Sequence, residues 1–363
     1  MKFRCERDVL VEALGIAGRA VSGRGTLPGL SGIRAELSGD DLTLTGSDLD
    51  LTIATTVTVS GESDGVAIIP ARLASDIVRA VQPGAVAFAA EDESLTIRAG
   101  RSEFSIRLIA GDEFPQLSNL EVEPVTLASD QLAAALKQVV LAASSDDSRP
   151  ILTGVLLAAE DGGLRLVATD SYRLAMRDVS GVSVLAEGQS VLIPSRALGE
   201  LNRVLAQDDE VTLRLGENEA SFEVGAVKLV TRLIEGDFPN YRGLIPESHP
   251  NSLTVNREEL LDALRRVKLL ARESTPIRIE MSTDGMELVA VTQDVGTARE
   301  SLESTYVGSD LVVAFNPQYL LEGVEVAPAE EIVLATIDEL KPALVRAVGS
   351  DDFLYLLMPV RVS

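Results

Sequence analysis

Four signatures recur in the same order three times along this chain, and that triplication constrains the fold before any single residue is weighed. Each round opens with a helical pattern: CERDVLVEALGIAGRAV (5–21), ASDQLAAALKQVVLAAS (128–144) and VNREELLDALRRVKLLA (255–271). A polar or acidic start precedes Leu, Ala and Val at i, i+3, i+4 and i+7, which predicts a capped amphipathic helix. A strand pair around a short acidic or glycine turn follows and runs into a Thr/Asp turn: ELSGDDLTLTGSDLDLTI (36–53), LAAEDGGLRLVATDSYRLAM (157–176) and EMSTDGMELVAVTQDVGTA (280–298). Alternation around D-D, G-G or D-G is hairpin grammar. A strand then enters a second helix at a proline corner, in AIIPARLASDIVRAV (67–81), VLIPSRALGELNRVL (191–205) and VVAFNPQYLLEGVEV (312–326), where a fixed φ and a missing N–H suit a helix start. The closing strand FSIRLIAGDEFPQL (104–117) matches VKLVTRLIEGDFPNY (227–241), whereas the third copy ends in FLYLLMPVRVS (353–363). Pro70 and Pro194 are 124 positions apart, as are Phe114 and Phe238.

The expected domains are therefore 1–122, 123–247 and 248–363, with the proline-bearing EVEPVT and IPESHPNS as linkers. Two amphipathic helices packed on antiparallel sheets of roughly eight short strands make each an α+β layered domain.

Several chemistries lose their basis. His249 is the single histidine and sits in PESHPNS, a setting that predicts a solvated loop residue. One histidine removes HExxH zinc sites and multi-histidine metal centres. Cys5 is the single cysteine and reads as a small buried hydrophobe. No GxxxxGK[ST] occurs, and no GxGxxG opens a helix after a strand. No metal, cofactor or enzymatic activity is expected. The charged opening MKFRCERDVL predicts no secretory signal, and no apolar run approaches the ~20 residues of a membrane span, so a cytoplasmic location is expected. Net charge is −24, which taken whole argues against nucleic acid.

The triplication, the opening MKF, GRGTLPGLSGI (23–33), ATDSYRLAM (168–176), GDFPNYRGLIP (236–246) and the terminal LMPVRV together resemble the bacterial sliding-clamp family, the beta subunits of DNA polymerase III holoenzyme. The resemblance runs end to end. It implies a head-to-tail homodimer, a ring of six similar domains around duplex DNA, with helix pairs lining the hole and sheets forming the wall. A heterologous contact whose rotation closes gives such a ring. It implies a processivity factor that tethers a replicative polymerase, the clamp loader and repair proteins through short linear peptides, with no membrane.

Charge segregation fits that picture. The segment 255–272 carries Arg257, Arg265, Arg266, Lys268 and Arg272 against Glu258, Glu259 and Asp262. The second helices carry Arg72 and Arg79 against Asp76, and Arg196 and Arg203 against Glu200. Acid gathers instead in loops and strands such as EDES, QDDE and GENE. Basic side chains on helix faces are ordinarily just solvated; the resemblance makes Arg72, Arg79, Arg196, Arg203, Arg265, Arg266 and Lys268 candidate phosphate contacts, with Arg24 and Arg149 added from loops.

ATDSYRLAM has no base beside Thr169 or Asp170, and its copies TGSDLDL and VTQDVGT keep an Asp, so Asp48, Asp170 and Asp294 read as turn formers. Only the middle copy adds YRLAM. The resemblance places a peptide pocket there, built from Leu152, Thr169, Ser171, Tyr172, Arg173, Leu174, Pro239, Leu244, Leu340, Pro342, Leu356, Met358, Pro359, Val360 and Arg361. Better-known members often read Gly-His at Ser171-Tyr172 and Arg at Gly243, and the tail here carries an additional Ser363. For the subunit contact the resemblance points to Leu73, Arg98, Arg101 and Phe104 from domain one, and Leu269, Leu270, Glu300 and Glu303 from domain three. The alternatives are a clamp-like peptide-binding scaffold or specialised paralogue that no longer encircles DNA, and a hydrolase on a repeat fold.

Overall fold

Strand pairing carries the repeat into three dimensions. The computed structural model describes residues 1–22, 27–110, 114–115, 117–271 and 275–361. The chain forms two units, Met1–Asp130 with Glu200–Leu233, and Gln131–Gly199 with Ile234–Ser363. Helix α1 is Arg7–Gly18, α2 Ala71–Ala80, α3 Ser129–Val139, α4 Ser195–Val204, α5 Arg257–Lys268 and α6 Pro317–Glu325. The divide between the units falls within α3 and α4.

In the first unit, a five-stranded sheet runs Ser60–Ser63, Lys2–Glu6, Ala85–Glu91, Ser94–Ala99, Ser102–Arg107. An eight-stranded sheet begins Val125–Ala128, Glu210–Leu215, Glu219–Val224, Val227–Arg232 and continues Leu51–Thr58, Asp41–Ser47, Gly32–Ser38, Gly65–Pro70. Its two halves join where Val227 faces Thr55 and Thr231 faces Leu51. Leu10 and Leu14 of α1 and Val78 of α2 pack with Phe3, Leu44, Ile69, Phe88 and Ile97 in one core. Gly46 lets α1 pass close over the sheet, since a Cβ there would meet the Ala17 carbonyl oxygen at 2.0 Å.

The second unit repeats the device. A nine-stranded sheet runs Ser190–Pro194, Gly154–Glu160, Gly163–Thr169, Arg173–Ser180, then Ser350–Leu357, Ala343–Ala347, Glu331–Thr336, Asn251–Asn256, Ser304–Val307. The join is again a hairpin strand against the last strand of the following repeat, with Leu174 opposite Leu356. A four-stranded sheet runs Gly296–Leu302, Gly285–Thr292, Ile277–Ser282, Leu311–Phe315.

The rule linking hairpin strand to following closing strand is satisfied twice. It leaves two strands over. Ser102–Arg107 closes the first repeat and is the outermost strand of its sheet, and Gly296–Leu302 is the hairpin strand of the third and is outermost in its own.

The strand number agrees with the roughly eight expected in each repeat: among the described residues, nine lie between Lys2 and Arg107, eight between Val125 and Arg232, and nine from Asn251 on. The helix starts and His249 differ. The first predicted helix begins later, because Cys5 and Glu6 belong to the strand Lys2–Glu6, and Glu6 makes no side-chain cap. Asn256 does cap α5, accepting from Glu259 N at 3.1 Å, and Asn316 caps α6 through Gln318 N and Tyr319 N. Cys5 is buried, as expected. His249 is not a solvated loop residue: it is half-buried with Nε2 enclosed and unpartnered, and burial, then the Arg346 charge, push its pKa below the ordinary value.

Candidate partner-binding site

The stretch from Thr169 to Arg173 is a side-chain-built turn. Asp170 Oδ1 accepts from Tyr172 N at 2.9 Å and Arg173 N at 3.0 Å, while Thr169 Oγ1 donates to the Arg173 carbonyl at 2.7 Å. Ser171 takes φ 80°, a left-handed conformation that favours glycine. The first repeat builds the same turn: Asp48 Oδ1 accepts from Asp50 N and Leu51 N, and Leu49 has φ 81°. The third departs, since Asp294 itself adopts φ 63° and the turn closes through Val295 N to the Thr292 carbonyl. Asp170 and Asp48 are thus turn formers by hydrogen bond, and Asp294 by backbone conformation.

What the middle turn adds is a buried cation. The Arg173 guanidinium donates to Asp170 Oδ2 at 3.0 Å, to Glu322 Oε2, and to the Tyr355 hydroxyl at 3.3 Å, and it stacks 4.2 Å from the centre of the Tyr319 ring. Burial opposes its charge, but Tyr355 and Glu322 outweigh burial and hold its pKa above the ordinary value. Burial also raises the Tyr355 phenol, which donates to the Tyr319 carbonyl at 3.0 Å. Gly323 makes room for that ring, because a Cβ there would lie 2.2 Å from Tyr355 Cε1. Tyr319, Glu322 and Tyr355 were not expected at the site. Their one sequence signal is the i, i+3 spacing of Tyr319 and Glu322, which puts them on one helix face.

The predicted pocket residues divide into a floor and a rim. Leu152, Thr169, Arg173, Leu174 and Leu356 are buried, and Leu174 and Leu356 join Val167, Tyr241, Leu344 and Leu354 in a core cluster. Ser171, Tyr172, Pro239, Leu244, Leu340, Met358, Val360 and Arg361 are exposed, and Pro342 and Pro359 half-buried. Two backbone bonds hold the tail across this surface: Met358 N donates to the Tyr172 carbonyl at 2.9 Å and Val360 N to the Ala314 carbonyl at 2.7 Å. Leu244 is carried by the short helix Tyr241–Leu244, fixed by Arg242 and Tyr241 on Glu160 and by Arg165 bridging Glu160 to Asp178. Exposed apolar side chains over a polar-braced floor can hold a peptide whose apolar residues anchor and whose backbone meets fixed groups.

The basic candidates are mostly paired. Arg72 and Arg79 share Asp76 at 3.9 and 3.8 Å, Arg203 holds Glu200 at 2.8 Å, and Arg265 contacts Asp262 and Glu325 at 3.3 Å. Arg196 is exposed, Lys268 donates to Gln318, and Arg257 is turned to Glu258 and the Glu325 and Ala327 carbonyls. Arg149 lies against the turn, donating to Ser171 Oγ at 3.3 Å and pairing with Asp146 at 3.1 Å. Arg24 and Arg272 lie outside the described residues.

The interface candidates sit at the two leftover strands or on nearby helix ends. Phe104 is on Ser102–Arg107, Arg98 on its neighbour and Arg101 in the turn between them, all exposed. Glu300 is on Gly296–Leu302, with exposed Glu303 just beyond. Leu73 is half exposed on α2, Leu269 is 84% exposed after α5, and Leu270 is half-buried. Within one chain Arg98 already binds Glu103 at 2.7 Å, and Arg266 grips Glu300 through two bonds of 2.6 and 2.9 Å. One residue expected at phosphate and one expected at the subunit contact are therefore each other's partner.

Comparison with known proteins gives one answer along the whole length. Family models for the DNA polymerase III beta subunit match residues 1–118 (N-terminal domain), 126–240 (central domain) and 242–361 (C-terminal domain). The beta sliding clamp of Streptomyces coelicolor is 31% identical, with all of both chains covered, and that of Bacillus subtilis is 31% identical over 99% of this chain and 100% of its own. The crystal structure of the Bacillus subtilis clamp superposes with a TM-score of 0.92 at 30% identity, covering both chains fully. A sliding clamp from Bartonella birtlesii bound to griselimycin does so with the same TM-score, identity and coverage. With three tandem clamp domains matched in order, the chain belongs to the DNA polymerase III beta subunit family.

Proposed function

We propose that this chain acts as a DNA sliding clamp: two copies close head to tail around duplex DNA and tether a replicative polymerase, a clamp loader and repair proteins through short peptides bound at the Tyr172–Met358 surface. The observation that carries it is the pair of leftover strands. Inside the chain every hairpin strand that has a following repeat pairs with that repeat's closing strand. Ser102–Arg107 and Gly296–Leu302 are the complementary halves of a third such joint. They belong to opposite ends of the chain, so the joint is made with a second copy, and two chains satisfy both joints. Phe104, Leu73, Leu269 and Leu270 give that joint an apolar centre, and Arg98, Arg101, Glu300 and Glu303 a charged rim.

The work needs no catalysis. Holding DNA by topology asks for phosphate contacts that carry no sequence information and do not grip. Arg72, Arg79, Arg203 and Arg265, each half-neutralised by an acid one turn away, suit that demand, as do Arg196, Arg266 and Lys268 beside them. Arg149, bonded to the pocket turn at Ser171, is a less direct candidate for phosphate. Among the described residues no helix is long and apolar enough to cross a membrane.

The test is retention. A clamp loaded on closed circular DNA should stay through gel filtration and leave when the circle is cut once, and light scattering should give twice the 38.6 kDa chain. Equal retention on linear DNA with free ends, or a monomer at micromolar concentration, favours the scaffold that does not encircle DNA. For the pocket, Met358→Ala combined with removal of residues 359–363 should abolish peptide binding and leave the dimer intact; unchanged affinity by calorimetry refutes that assignment.

A further inference from the structure

Beside the tail lies a groove of about 750 Å³ that the pocket assignment reaches only along one edge. Leu340, Val360 and Arg361 form one side of it, all members of the peptide surface, so the groove continues from that surface. Its floor is the outward face of the four-stranded sheet. Arg278 faces Ala314 across the strand pair and Val312 is two residues back, while Ile277, Ile279, Val313 and Phe315 turn the other way into the core. Val312 is 48% exposed. The strand Leu311–Phe315 is outermost, and along its free side the tail takes the Ala314 carbonyl.

The groove carries two cations and one acid. Arg278 and Arg361 line it with Glu339, and among the described residues neither arginine has an acidic partner. Past Val312 the sign reverses: the adjoining depression is lined by Glu280, Asp284, Glu287 and Asp310. In a chain of net charge −24, the basic stretch is a window of one or two residues between the apolar rim and an acidic field.

We infer that this groove receives an acidic segment, one or two residues long, that flanks the apolar anchor of a bound peptide. The occupant follows from charge complementarity and from continuity with the Met358–Arg361 surface; the inference rests on the peptide-binding reading above. Arg278 is then a specificity-determining residue, rewarding Asp or Glu next to the anchor and rejecting Lys there.

Fluorescence polarisation with the full-length dimer tests it. The probes share the neutral core Leu-Ser-Leu-Phe and carry Asp-Asp or Lys-Lys at the N-terminal or the C-terminal end. At one of the two ends, at low salt, the Asp-Asp peptide should bind about five- to tenfold more tightly than its Lys-Lys counterpart, the scale of two exposed ion pairs. The gap should fall to about two- to threefold in Arg278→Gln, close in Arg278→Glu and shrink in high salt. A core peptide that binds with no charge preference at either end overturns the inference and leaves the pocket standing. So does a preference undiminished in Arg278→Gln when that variant's melting temperature is unchanged. A core peptide that does not bind at all overturns the pocket and the inference together.

Discussion

Replacing Glu322 by alanine leaves the Arg173 guanidinium, about one-tenth exposed, with Asp170 and Tyr355 but without its second carboxylate. A hydrogen bond between charged groups contributes about 1.5–3 kcal/mol, and stripping a partner from a buried pair reaches about 3–5 kcal/mol. Two features of the site reduce that. Glu322 keeps 27% of its side chain exposed, so water screens part of the attraction, and Asp170 still neutralises the arginine. The expected loss is about 1–2 kcal/mol, with Glu322→Gln recovering part of it because an amide oxygen still accepts. The loss should be local. Glu322 sits on α6 and Arg173 on the turn, so the variant should loosen the turn and speed hydrogen exchange at the Tyr172 and Arg173 amides, which bond Asp170 Oδ1. Peptide affinity should fall about tenfold, since the rim at Tyr172 loses its fixed support. Exchange mass spectrometry and a peptide titration on the same samples read both effects. Unchanged exchange at 172–173 with unchanged affinity would refute the view that Glu322 positions Arg173, and Arg173→Met in a double-mutant cycle would separate coupling from simple loss of each side chain.

Gly323→Ala should cost about 1–3 kcal/mol in chemical unfolding, the usual range for overpacking, although alanine is ordinarily the better helix former; a stabilised variant would show that the Tyr355 ring can move aside. Leu269→Asp should weaken dimerisation about 10- to 100-fold, the equivalent of one lost apolar anchor, with protomer melting unchanged; light scattering across a dilution series checks it. His249 titrates below its ordinary value of 6.5 in the folded chain. Its contribution to stability is therefore full above pH 6.5 and is lost as pH falls through the lowered folded value. Melting temperatures of wild type and His249→Asn should converge as pH falls, and a gap independent of pH refutes the assignment.

Local patterns were readable in the sequence and distant pairings were not. The alternation around Gly162 and Gly163, the Asx turns at Asp48 and Asp170 and the proline corners at Pro70 and Pro194 each depend on neighbours within a few positions. Strand Ser60–Ser63 escaped notice because all four of its residues are exposed and show no apolar alternation. The cluster under the pocket escaped for another reason: Arg173 meets Glu322 and Tyr355 across 149 and 182 positions, and no window on the sequence spans that. His249 looked solvated because its flanking Pro, Ser and Asn are turn formers, and the Arg346 charge that bears on it lies far along the chain.

The two leftover strands also set a cost on opening. An isolated protomer bares the outer edges of both Ser102–Arg107 and Gly296–Leu302, rows of backbone amides and carbonyls ready to bond any passing strand. In the proposed ring, opening one joint would bare one edge of each kind, one on each chain, and the joint still closed would keep the two within one assembly, which favours recapture over misassembly. Fully separated chains have no such advantage, and they are the species most exposed to sticking to strangers.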